Sequence, residues 1–101
     1  MTKKRRNIGA DELGERFGIG QAKGKIGTGW MALDKEDYEA SGQTPEEYAE
    51  GWLETDQWQY EAAEYLGVDR NGFAELYRRG AGGDFEGGFV SGYAAVIEGR
   101  R

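Results

Sequence analysis

The chain has 101 residues, a formal charge of −6, 38% hydrophobic residues, and neither cysteine nor histidine. That size fits one domain, predicted here as residues 1–101. The missing residue types remove disulfides, thiol nucleophiles, cysteine or histidine metal sites and the commonest general base. Thirteen aromatic residues, including Trp30, Trp52 and Trp58, argue against a wholly unfolded chain.

Residues 1–9 open with Lys3-Lys4-Arg5-Arg6 and read as a disordered basic arm. No apolar stretch follows it, so it is no secretory signal, and no run is long enough to span a membrane. A cytoplasmic protein is expected. Residues 10–33 contain Gly14, Gly18, Gly20, Gly24, Gly27 and Gly29, and are predicted to be loosely structured. A short helix from Ala10 or Asp11 to Phe17 is allowed, with Leu13 and Phe17 four apart. Residues 25–33 could form a strand with Ile26, Thr28, Trp30 and Ala32 on one face.

From residue 34 to 98 the punctuation is helical. Asp34 can cap a helix that ends at Ser41-Gly42. Thr44-Pro45-Glu46-Glu47 is a capping-box start, with Tyr48, Ala49, Trp52 and Leu53 on the inner stripe. Thr55 or Asp56 caps a helix with Trp58, Ala62, Tyr65 and Leu66 inward, stopped by Gly67. Asp69 caps the next, with Phe73, Leu76 and Tyr77 inward, stopped by Gly80. Asp84 caps a last one through Phe85, Phe89, Tyr93 and Val96, which its glycines weaken. The predicted fold is mainly α: three or four short helices bundled behind the Gly-rich segment. The alternative is α+β, with strands near 25–33 and 89–97.

Charge is sorted along the chain. Residues 31–69 hold twelve carboxylates and one base, Lys35. Residues 1–30 carry seven bases against three acids, and residues 70–101 five against four. An acidic middle repels phosphate and attracts basic protein surfaces. On the helix that starts at Pro45, Glu46, Glu50 and Glu54 are spaced i,i+4, an arrangement that destabilises a helix, and its retention points to a use for the negative field.

Catalytic and cofactor motifs fail on spacing. Between Gly20 and Gly24 lie three residues, and Ile26 follows Lys25, whereas a phosphate loop needs four residues and then Ser or Thr. Asp34-Lys35-Glu36-Asp37 lacks the alternation and central glycine of an EF-hand. No enzyme activity, cofactor or metal is predicted.

Residues 59–80 resemble a helix-turn-helix of bacterial and phage regulators. Ala63 is the small residue where the two helices touch, Gly67 the turn, Leu66 and Val68 its flanks, and Phe73 and Leu76 the buried positions. The resemblance implies that Arg70, Asn71, Ala74, Glu75 and Arg78 face double-stranded DNA, with Arg79 on phosphate. Gly72 inside the second helix and the many upstream acids oppose that role.

The stronger expectation is non-enzymatic binding through an acidic face made of Asp34, Glu36, Asp37, Glu46, Glu47, Glu50, Glu54, Glu61 and Glu64. Tyr60 is expected beside it as an exposed ring. An acidic, aromatic-rich chain of this size is similar in type to phage or mobile-element proteins that block host nucleic-acid machinery. Anti-CRISPR and anti-restriction proteins that mimic DNA charge are among them. The implied partner is a host protein with a basic, nucleic-acid-binding surface; the alternative partner is double-stranded DNA.

Overall fold

A computed structural model describes residues 9–78 and 81–101, apart from the side chains of Arg70, Leu76, Tyr77, Arg78 and Ala81. The basic arm before Gly9 and the Arg79 site therefore lie outside the described residues. Among the described residues six helices follow in order: α1 (Ala10–Ala22), α2 (Lys35–Ser41), α3 (Pro45–Leu53), α4 (Gln57–Leu66), α5 (Arg70–Arg78) and α6 (Ala81–Ile97). The chain is mainly α, as predicted, with more helices than the three or four expected.

Among the described residues there is no strand. The α+β alternative is overturned at both places. Residues 25–33 turn repeatedly, with Gly27 and Gly29 at φ +75° and +81°, and residues 89–97 belong to α6. The expectation of a loose 10–33 segment is also corrected. Its helix continues past Phe17 to Ala22, and Phe17 and Gln21 are fully buried.

The reason lies in glycine placement. A Cβ added at Gly14 would fall on the Phe85 carbonyl oxygen, and one at Gly18 on that of Phe89. Reciprocally, a Cβ at Gly88 would meet the Asp11 carbonyl, and one at Gly92 that of Glu15. Each helix thus offers two glycines four residues apart to the backbone of the other. The contacts advance together, Gly14 beside Phe85 and Gly18 beside Phe89, so α1 and α6 run in the same direction. Small residues at this spacing let two helix backbones approach until they touch. The entropy that glycine loses in a helix is offset by a contact no other residue permits. The same packing explains why α6 forms despite its glycines, starting at Ala81 and not at a cap on Asp84.

Around this seam sit the buried rings. Phe17 lies 5.4–5.8 Å from Tyr65, Phe85 and Phe89, centroid to centroid. Trp58 stacks on Phe85 and meets Phe73 edge-on at 5.7 Å. Met31 joins them from the loop after α1 and is fully buried. Tyr93 Oη donates to its carbonyl at 2.6 Å, which ties that loop to α6.

Candidate protein-binding face

The face is built on α2 and α3, and local chemistry fixes both. Asp34 Oδ1 accepts from the Asp37 N–H at 3.2 Å, and α2 ends at Gly42 with φ +70°. Thr44 Oγ1 accepts from the Glu47 N–H at 3.1 Å, while Glu47 Oε1 accepts from the Thr44 N–H at 2.9 Å. That reciprocal pair is the capping box read from the sequence. Tyr48 and Ala49 are buried as expected, with Trp52 and Leu53 partly so. The opposite side of α3 follows from helical periodicity: Glu46, Glu47, Glu50 and Glu54 are exposed.

Asp34, Glu36, Asp37, Glu39 and Glu64 are exposed as well. Among the described residues, no ion pair holds Glu36, Glu39, Glu46, Glu50, Glu54 or Glu64; the side-chain ion pairs join Arg16 to Glu12, Arg100 to Glu98 and Arg101 to Glu15. Asp37 is positioned by Tyr48, whose Oη donates to it at 2.9 Å. Burial, that hydrogen bond, and the charges of Asp37 and Asp34 push the Tyr48 hydroxyl up to about 12. Tyr93 is also driven above its ordinary value, chiefly by burial. The Trp52 indole N–H is buried without a hydrogen-bond partner among the described residues.

Glu61 is a correction. It is 6% exposed and takes no place on the face. Its carboxylate accepts from Gln21 Nε2 and from Thr28 Oγ1, each at 2.8 Å. Gly27 lies so close over this pair that a Cβ there would strike Glu61 Oε1. Glu61 therefore fastens the loop after α1 onto α4. The signal was present in the sequence: residues 58, 61, 62 and 65 form one helical stripe, so Glu61 shares a face with Trp58 and Ala62. Tyr60 is 51% exposed, as expected, and Trp30, which the sequence reading placed on a strand, is 48% exposed.

For the DNA-facing alternative, α4 ends at Gly67 with φ +73°, and Val68 N–H donates to the Ala63 carbonyl at 3.0 Å. Asp69 caps α5 through the Gly72 N–H at 2.7 Å. Ala63 and Phe73 are buried, and Asn71 and Ala74 are exposed. The side chains of Arg70 and Arg78 lie outside the described residues. Asp56, proposed as a cap for α4, makes no capping hydrogen bond, and Thr55 Oγ1 donates instead to the Trp52 carbonyl at 2.7 Å.

The glycine-rich stretch is no phosphate cradle. The amides of Lys23, Gly24, Lys25 and Ile26 are spent on the carbonyls of Ile19, Gln21 and Gly20. Among the described residues no three carboxylates converge to hold a metal ion, and no helix is long and apolar enough to cross a membrane. A groove of about 690 Å³ runs outside the α1–α6 seam between Asp11, Glu12, Glu15 and Asp84. There, unlike on α3, Arg16 and Arg101 pair with the acids at 2.9 and 3.6 Å.

Comparison with protein-family models, with curated proteins and with solved structures found no match to this chain.

Proposed function

We propose that this chain is a non-enzymatic binding protein whose acidic α2–α3 face engages a basic, nucleic-acid-binding surface of another protein. The observation that carries this reading is the row Glu46, Glu50 and Glu54: exposed, at like-charge spacing, and held by no ion pair among the described residues. Like charges at i,i+4 each cost a few tenths of a kcal/mol in the free helix. A partner that supplies Arg or Lys turns that cost into attraction. Carboxylates at helical spacing compete for the cations that otherwise hold phosphates, the manner of a phage-type inhibitor of host defence. Binding of this kind weakens steeply with salt, because exposed charges are screened over about 8–10 Å at physiological ionic strength.

The test is capture of partners by the wild type and by E46K/E50K/E54K, with helix content checked in parallel. The variant folds and loses the salt-sensitive partner. A folded variant that keeps the partner at full strength refutes the proposal.

The helix-turn-helix reading is kept on one observation, the glycine-turned α4–α5 corner with Asn71 and Ala74 exposed. It requires that Arg70→Ala and Arg78→Ala weaken binding to duplex DNA while E46K/E50K/E54K leaves it intact or strengthens it.

A further inference from the structure

We propose that Trp30, joined through Trp52 and Tyr48 to Asp37 of the acidic face, is an anchor for an arginine side chain of the basic partner. This rests on the acidic-face reading and adds the residue type that the face selects.

Trp30 is held ready. Its N–H donates to Thr28 Oγ1 at 3.3 Å, and Thr28 in turn donates to Glu61. On its other side, the Met31 carbonyl is bound by Tyr93. Its ring meets Trp52 edge-on, 5.0 Å between centroids at 64°. Bonds at Trp30 itself and at Met31 thus fix the backbone that carries an indole about half exposed. Such a preset aromatic loses little conformational entropy when a partner covers it.

The rings continue from there into the acidic region. Trp52 lies 6.4 Å from Tyr48, and Tyr48 5.3 Å from Tyr38. Tyr48 bonds Asp37, and the charges of Asp34 and Asp37 both act on its hydroxyl. The Tyr48 end of the row therefore lies in the negative field of Asp34 and Asp37, while Glu46 and Glu50 project from the opposite side of α3. Lys35 is the one base on α2 and α3, against Glu36, Asp37, Glu39, Glu46, Glu47 and Glu50.

Charge alone does not separate arginine from lysine, but an indole does. The guanidinium is planar and weakly hydrated, so it can lie on the ring face while its N–H groups reach carboxylates. The ammonium of lysine is compact and strongly hydrated, and gains less there.

The experiment titrates fluorescent octaarginine and octalysine, equal in length and charge, against the folded protein at low salt. Octaarginine is expected to bind about three- to tenfold more tightly. Trp30→Ala and Trp30→Leu are expected to erase that preference while leaving octalysine binding and helix content unchanged. The leucine variant keeps apolar bulk without a π face, so it separates ring electrostatics from loop packing. Equal binding of the two peptides by the wild type, or a preference that survives both variants, overturns the arginine anchor and leaves the acidic face standing. Failure of the wild type to bind either peptide overturns both.

Discussion

The α1–α6 seam and the α2–α3 face place constraint in opposite ways. At the seam, Gly14, Gly18, Gly88 and Gly92 each lie against a backbone carbonyl of the facing helix, and no side chain fits. On the face, Glu46, Glu50 and Glu54 are exposed and held by no ion pair among the described residues. The fold depends on the first region; in the second it uses Asp34, Asp37 and Glu47 for caps and a hydrogen bond, but makes no ion pair with Glu46, Glu50 or Glu54 among the described residues. Charge that stability does not require is charge available for a partner.

The sharpest way to break this contrast is a pair of adjacent substitutions. Gly88→Ala drives a methyl into the Asp11 backbone and is expected to cost about 3 kcal/mol. Gly87→Ala, one position along, meets nothing within 4 Å. It should raise stability by about 0.5–1 kcal/mol, because alanine suits an exposed helical position better than glycine. Denaturant unfolding of both proteins checks the pair; equal effects would remove the seam from the account.

Glu61→Ala should cost about 2 kcal/mol, since it leaves Gln21 Nε2 and Thr28 Oγ1 without their acceptor. Chemical denaturation reads the loss, and an increase in the exposure of Trp30 by fluorescence quenching should accompany it.

Tyr48→Phe removes the bond to Asp37, at about 1 kcal/mol. It also changes the alkaline limb. The native hydroxyl is pushed up to about 12 from an ordinary 10, so the unfolded chain releases this proton first. Wild-type stability is then intact below pH 10 and falls between about pH 10 and 12. The phenylalanine variant should lose that part of the decline, as followed by unfolding midpoints across this range.

The smallest expected effect is on the face. E46K/E50K/E54K should change stability by no more than about 0.5 kcal/mol, the range of exposed substitutions. A loss several times larger would mean that the face is structural after all.

The two regions also differed in how much their residues disclosed. Thr44-Pro45-Glu46-Glu47, Gly67 and Asp69 act through neighbours a few positions away, and their caps and turns were legible. So was the inward line of Phe85, Phe89 and Tyr93, which repeats every four residues. The seam was not legible, because glycine in isolation weakens a helix and the helix that repays it lies some seventy residues away. Glu61 was misplaced for a different reason: its charge was weighed above its position on the Trp58 stripe. Trp30 is exposed because turns at Gly27 and Gly29 and a bond to Thr28 set the path of its loop, a long-range outcome that alternation could not supply.

The most direct measurement is capture of partners from a host lysate by the tagged protein at low and high salt, with arms treated with nuclease or with excess duplex DNA. The account predicts a basic, nucleic-acid-handling protein that survives nuclease, is lost at high salt and is displaced by added duplex. Recovery of nucleic acid alone, abolished by nuclease, would contradict it and point to the α4–α5 corner.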